Sequence, residues 1–343
     1  MSEALGTLDA PVLVLADLDG TRPTDPALEL VAAARTLTGG DGGDGGDGSD
    51  VVALTLGPVE AEASAALAAA GANRLLVADL GGERAQAAAG ADAVVAAVHE
   101  VAPGAVLVSS DYRGKETAGR AAVLLDSACV SDVADLRVAD GALHASRLVL
   151  SGSWSTTMSA NAHTVHPPIL AVRPGSVEVP DASAGDAAPL PGEMLEVAVS
   201  REAAAVRLVS RESTAAAAGP DLAGARTVVV GGRGVDGDFD LVRSLAEPLG
   251  AAVGATRVAC DEEWIERSAQ IGQTGVSIAP RLYIGLGVSG AIHHTSGIQG
   301  AGTIVAVCDD SEAPIFEMAD FGVVGDVTEV VPQLVAELDR LRG

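Results

Sequence analysis

Short, continuous apolar runs alternate with alanine-rich helical segments along the first 175 residues, and that alternation constrains the fold more than any other feature. Residues 11–16 (PVLVLA), 51–56, 74–77 (RLLV) and 105–109 read as strands. Residues 26–37, entered through Asp25 with proline at the first helical position, read as a helix, as do 60–70, 84–100 and 115–125. Strands that alternate with helices at this spacing build a mostly parallel sheet with helices on both faces. The strands are apolar throughout rather than at every second residue, which fits burial on both sides. Aromatic residues number only seven (two Trp, two Tyr, three Phe), so the cores of an α/β chain like this must be filled with Ala, Val and Leu.

At 343 residues the chain is long enough for two domains. The spacing places the first in residues 1–212 and a connector in 213–225, where Ala and Gly dominate. A second domain follows in 226–343. Residues 39–50 (GGDGGDGGDGSD) interrupt the first domain. Their period of three lacks the apolar residue of a calcium-binding nonapeptide repeat, so a flexible acidic loop is expected. Residues 194–212 alternate apolar and polar residues and are expected to form strands.

The charge narrows the function classes. Asp plus Glu total 47 against 21 Lys plus Arg, a net charge of −26, and only Lys115 among those cations is a lysine. Nucleic acid and anionic membrane surfaces need a basic footprint, so neither is an expected partner. A balance this acidic suits a solvated protein in a salt-rich cytoplasm, where self-repulsion is screened. Two long uncharged stretches, 148–172 and 282–308, are too rich in His, Pro, Ser and Gly for membrane spans. The first residues lack the features of a signal peptide, which makes a cytoplasmic location the expectation. Cys129, Cys260 and Cys308 are an odd number at wide spacing and suggest neither a disulfide framework nor a zinc site. His163 and His166 precede two prolines and have no third ligand at useful spacing, so they read as loop structure. The excess charge is uneven, with 10 basic against 27 acidic residues in 1–200 and 11 against 20 in 201–343. The C-terminal part therefore tolerates an anionic ligand better.

That part carries the motifs. A strand at 227–230 runs into Gly232, Gly234 and Gly237, a literal G-x-G-x-x-G, followed by a helix over 239–249 with Asp261 further on. Taken alone this suggests a nicotinamide dinucleotide site. Asp236, Asp238 and Asp240 at the helix entrance would repel a pyrophosphate there and are better suited to starting the helix. Further on come a strand at 252–257 ending in Thr256 and Arg257, IGQTG at 271–275, GVSGAIHH at 287–294, a strand at 303–307 ending at Cys308, and the API and ADFG segments at 313–315 and 319–322. Ser289, Gly290 and Ala291 offer small residues and free backbone N–H groups to a phosphate, with a helix dipole behind them.

The order and spacing of these motifs closely resembles the alpha subunit of the electron-transfer flavoproteins. The resemblance covers the whole chain in outline and is specific from about Val228 to Pro332. It implies an N-terminal nucleotide-hydrolase-like α/β domain and a C-terminal Rossmann-like FAD-binding domain. Carried over by position, the flavin contacts are Arg233, Thr256, Arg257, Ile271, Gly272, Gln273, Thr274, Ser289, Gly290, Ala291, Ile292, His293, His294, Cys308, Asp326 and Val327. Within that set, Arg257 abuts the ring, the Thr274 hydroxyl bonds flavin N5, and His294 lies near N1 and O2. A positive or donating imidazole there would favour negative charge on the reduced ring. This chain departs from the family pattern at three places. Thr256 replaces serine, His293 stands where glutamine is usual, and Cys308 with Asp309 stands where Asn-Lys is usual. The resemblance further implies a beta subunit that holds AMP, acyl-CoA and related dehydrogenases as electron donors, and a membrane quinone reductase as acceptor. An electron carrier of this kind transforms no substrate itself. Three other readings stay open: an NAD-linked dehydrogenase using Gly232 to Gly237, a non-redox adenine-nucleotide-binding regulator, and an electron-bifurcating member of the same family.

Overall fold

The computed structural model describes residues 6–39, 50–81, 86–149, 154–177, 179, 187–210 and 222–342. The acidic loop expected at 39–50 falls outside them except at its two ends, as does most of the expected connector at 213–225. The chain divides into two units, one within Met1–Leu148 and Ser155–Arg211, the other within Val149–Trp154 and Glu212–Gly343.

In the first unit β1 (Val12–Leu15) is followed by a two-rung hairpin, β2 (Leu18–Asp19) and β3 (Arg22–Pro23), and by α1 (Asp25–Leu37). Then come β4 (Val51–Thr55), α2 (Ala61–Ala70), β5 (Arg74–Val77), α3 (Ala87–Val101), β6 (Ala105–Ser109) and α4 (Tyr112–Leu124). The N-cap of α1 is Thr24, whose hydroxyl accepts from Ala27 N, so Asp25 lies one residue inside the helix rather than capping it. Next are β7 (Cys129–Val133), β8 (Asp135–Ala139), β9 (Ala142–Val149), β10 (Trp154–Ala160), β11 (Ile169–Val172), β12 (Gly192–Met194) and α5 (Arg201–Ala205). The last two correct the expectation of strands over 194–212. Among the described residues only Met194, the last residue of β12, pairs in that range, alongside β5, and Ser200 caps a helix in place of a second strand.

Seven strands form one parallel sheet in the order β12-β5-β4-β1-β6-β11-β7. Both faces are packed. Val12, Val14, Leu30 and Val31 lie in the core on one side, and Leu13, Leu15, Val94 and Val98 in the core on the other. Alanine dominates the helix faces in both cores, which lets the helices approach the sheet closely without aromatic filler. β8, β9 and β10 make a separate three-stranded sheet, in which β8 and β9 run antiparallel, that the periodicity argument missed. Its signal is in the sequence. Asp140-Gly141, both at positive φ, is a two-residue hairpin turn between alternating apolar residues.

The second unit contains β13 (Thr227–Gly231), α6 (Phe239–Leu249), β14 (Ala252–Ala255), α7 (Arg257–Asp261), β15 (Leu282–Leu286), α8 (Ile292–Thr295), β16 (Thr303–Cys308), β17 (Phe321–Val324) and α9 (Val327–Arg342). Its five strands are parallel in the order β14-β13-β15-β16-β17. Asp238 caps α6 by accepting from Leu241 N (2.9 Å), and Gly250 ends the helix in the left-handed conformation. β13 leads outward to β14, and the chain then crosses to β15 on the other side. The switch point of the topology therefore lies between the carboxyl ends of β13 and β15, where open parallel sheets hold their ligands. Among the described residues no helix is long and apolar enough to cross a membrane.

Candidate functional site

At that switch point the loops after β13, β14 and β15 line one cleft. Its walls are Arg233, Thr256, Arg257, Val258, Gln270, Ile271, Thr274, Val288, Ser289, Gly290, Ala291, His293 and His294. Not one of these side chains is acidic, although the chain holds 47 Asp and Glu. Two are guanidinium groups. Arg257 is the first residue of α7 rather than the end of a strand, and its Nε lies 3.6 Å from Asp261 Oδ2. Arg233 makes no ion pair among the described residues. The cleft thus concentrates positive charge in an acidic molecule.

The glycines behind it answer a packing demand. A Cβ on Gly232 would sit 2.3 Å from the carbonyl oxygen of Gly287, and one on Gly234 2.7 Å from Gly287 Cα. Gly234 N donates to Gly287 O (3.0 Å), so the loop after β13 presses directly on the turn after β15. The G-x-G spacing is accounted for by this approach of two backbones at the switch point. It needs no pyrophosphate over the α6 entrance, where Asp236, Asp238 and Asp240 cluster.

Two further features fit the cleft to a phosphate- and hydroxyl-rich ligand. Thr256 occupies the N-cap position of α7 without making a cap bond, and its buried Oγ1 has no partner among the described residues. A buried hydroxyl left in this way costs about 1–3 kcal/mol unless something else satisfies it. The backbone N–H groups of Ser289, Gly290, Ala291 and Ile292 likewise donate to no described residue. α8 has only four residues, so these amides act as local donors with little helix dipole behind them, contrary to the sequence expectation.

His294 is 5% exposed. Its Nδ1 lies 3.1 Å from Ile271 O, which can only accept, so Nδ1 carries the hydrogen. Nε2 is 2.8 Å from the hydroxyl of the fully buried Tyr283 and accepts from it. Burial lowers its pKa from 6.5 to about 4, partly offset by the bond to Ile271, and the ring is neutral at physiological pH. His294 therefore lines the cleft as a neutral ring with both nitrogens engaged by the chain itself. Positive charge falls to the two arginines.

The remaining expected residues divide by position. His293 Nδ1 is 2.8 Å from Gln273 Oε1, and Gln273 N donates to His293 O (2.7 Å), which ties the 271–275 loop to α8. Gly272, in the same loop, packs so closely on His293 that a Cβ there would meet the carbonyl oxygen at 2.3 Å. Gly272, Gln273 and Ile292 are not among the residues that line the cleft, and Gln273 and Ile292 are exposed. Cys308, 6% exposed, ends β16. Asp326 accepts from Thr328 N (2.8 Å) and Thr328 Oγ1 (2.7 Å), which holds its carboxyl below the usual range, and the buried Val327 begins α9. These three lie along the same carboxyl edge of the sheet but outside the cleft. Val258, Gln270 and Val288 line it and were not among the expected residues. Val288 lies inside the 287–294 motif but was not singled out within it, and Val258 and Gln270 each stand one residue outside a quoted motif. In the first unit, His163 Nδ1 accepts from the N–H groups of Val165 and His166, as a loop-forming residue would.

The family model described as "Electron transfer flavoprotein domain" matches residues 12–200, and that described as "Electron transfer flavoprotein FAD-binding domain" matches residues 221–299. The chain belongs to the electron transfer flavoprotein alpha-subunit family. The FAD-binding domain model covers every residue that lines the cleft. An electron transfer flavoprotein subunit alpha of Mycobacterium leprae (strain TN) is 42% identical over 255 residues, 74% of this chain and 76% of the relative. The Bacillus subtilis (strain 168) protein of the same name is 33% identical over 335 residues, 96% of this chain and 98% of its own.

Proposed function

We propose that the cleft between β13 and β15 holds FAD and that the chain is the FAD-carrying alpha subunit of a heterodimeric electron-transfer flavoprotein. In this reading its partner is a beta subunit that holds AMP. The pair takes electrons from acyl-CoA and related dehydrogenases and delivers them to a membrane quinone reductase. Residues 226–343 form the FAD-binding domain, 1–212 the first domain, and 213–225 connect them. The observation that carries the reading is a cleft with two arginines, no carboxylate and an orphaned buried hydroxyl, placed at the switch point of a parallel sheet.

The bound flavin supplies a ring that accepts and releases electrons. The chain's own residues bind and tune it. Arg233 and Arg257 offset negative charge, Thr256 contributes its spare hydroxyl, and the amides of Ser289, Gly290 and Ala291 donate to phosphate. Val288 and Ile271 exclude water, while neutral His294 adds no third positive charge to the wall. Cys308, Asp326 and Val327 lie outside the cleft on the same carboxyl edge of the sheet, and we assign them to the adenosine end of the ligand.

The test is to co-express the full chain with a beta-type partner and measure bound flavin by absorbance and chromatography. One FAD per chain is expected. Arg257→Ala should weaken FAD binding about tenfold or more, as for a lost hydrogen bond to a charged group, and make the ring harder to reduce. A colourless wild-type complex would overturn the reading and favour a non-redox nucleotide-binding role.

A further inference from the structure

The 271–275 loop is connected to Arg257 by a chain of polar contacts that runs through residues outside the expected set. Asp261 Oδ2 lies 3.6 Å from Arg257 Nε, and Asp261 Oδ1 accepts from Arg267 Nη2 at 2.6 Å. Arg267 Nη1 reaches Gln270 Oε1 at 3.4 Å, and Gln270 Nε2 donates to Thr274 Oγ1 at 2.9 Å. Gln270 is 2% exposed, and its backbone is fixed on both sides: its N donates to Arg267 O, and its O accepts from Val276 N.

The direction of these bonds follows from donor and acceptor chemistry. A guanidinium only donates, so the Gln270 oxygen faces Arg267 and the amide NH₂ faces Thr274. With Gln270 donating to it, Thr274 Oγ1 is an acceptor on that side, and its own hydrogen points elsewhere. Among the described residues no group accepts that hydrogen, and Thr274 lines the cleft.

We propose that Gln270 is a positioning residue that holds the Thr274 hydroxyl as a hydrogen-bond donor to the ligand of the cleft, with Arg267 and Asp261 setting the orientation of the Gln270 amide. The inference rests on the FAD reading of the cleft and adds to it a residue that acts through another. A ligand acceptor facing Thr274 then meets a hydrogen already aimed at it, so no rotamer freedom of the hydroxyl is lost on binding. A ligand with a donor at that point meets another donor, so the device also selects for acceptors.

Gln270→Glu tests it at constant volume. A carboxylate accepts where the amide donated, so the Thr274 hydrogen turns toward residue 270 and away from the ligand. Its added charge near the cleft is separated by a double-mutant cycle with Thr274→Val, which removes the hydroxyl but keeps the shape. The readout is the Kd for FAD added back to the deflavinated, co-expressed complex, followed by flavin fluorescence. Gln270→Glu and Thr274→Val should each weaken binding on the order of tenfold, the worth of about one good hydrogen bond. The double variant should be no weaker than either single one, Thr274→Ser should bind like wild type, and neutral Gln270→Met should fall between wild type and Gln270→Glu. Losses that multiply to about a hundredfold in the double variant, or wild-type binding by Gln270→Glu and Gln270→Met, would overturn the proposal. Wild-type complex that takes up no FAD overturns the FAD reading itself, and the role of Gln270 with it.

Discussion

Two titratable side chains, the buried His294 and the half-buried Asp17, one in each unit, respond to acid in opposite directions. The folded-state pKa of His294 is depressed from 6.5 to about 4, so its contribution is complete above pH 6.5 and is lost as pH falls toward 4. Asp17 is raised from 3.8 to about 6 by burial first and by the nearby Asp111 carboxylate second, with Arg113 at 3.8 Å opposing both. Its contribution is complete below pH 3.8 and is lost as pH rises through 6. Each shift is worth on the order of 3 kcal/mol. Urea unfolding of His294→Gln, followed by tryptophan fluorescence because the partly buried Trp264 packs against the second unit's core, should show a flatter loss of stability between pH 6.5 and 4 than wild type. Asp17→Asn, followed by far-UV circular dichroism, should be more stable than wild type at pH 7 and no better near pH 4. Parallel pH profiles for wild type and both variants would refute the two assignments. The charge state of His294 was not legible in the sequence because it is set by burial, and the groups that enclose the ring, among them Tyr283 and Ile271, lie 11 and 23 residues away and meet it only in the folded chain. Gln270 was missed for the same reason. Its neighbours in the chain announce a motif, but its role depends on what Arg267 and Thr274 do around it.

Elements were easier to read than side chains, and their glycines show why. The strands at 105–109 and 227–231 and the helix at 239–249 stand where apolar runs and caps put them, because burial and capping are local demands written in consecutive residues. The β8–β9 hairpin escaped an argument tuned to long apolar runs, since its strands are half-exposed and alternate. A glycine motif is the opposite case, because its meaning is set by what lies across the space. Gly232 faces the Gly287 backbone, so Gly232→Ala must part β13 from the turn after β15 and should cost roughly 1–3 kcal/mol. It should weaken ligand binding as well, since the same loop carries Arg233. Gly119 sits exposed within α4, and an added methyl group would meet nothing within 4 Å, so Gly119→Ala should gain roughly 0.5–1 kcal/mol from helix propensity alone. Thermal unfolding of the two alanine variants should therefore shift in opposite directions. Equal shifts would mean that the close approach at the switch point does not constrain the loop.

At the scale of the whole molecule, the acidity and the cleft are separate designs. The net charge is −26, and among the described residues most carboxylates are exposed, while the cleft wall carries arginine and no acid at all. Ion pairs do little to offset the excess. Pairs such as Arg22–Glu62 and Arg243–Asp240 are largely exposed, and exposed pairs contribute at most about 1 kcal/mol each. Self-repulsion among the unpaired acids therefore favours expansion of the chain, and salt relieves it as the screening length falls from roughly 10 Å at 0.1 M to roughly 3 Å at 1 M. The urea midpoint of the full chain should rise with KCl over that range, most steeply at first. Sucrose at matched osmolality should not reproduce that levelling, because it is excluded from the surface without screening charge. A binding cleft free of carboxylates predicts a second, independent response. Attraction between its two arginines and an anionic ligand weakens as the same salt screens it, so affinity for FAD should decline while stability climbs. A midpoint that ignores salt would show that the acidic surface is already neutral in effect, and the FAD assignment would stand on the cleft alone.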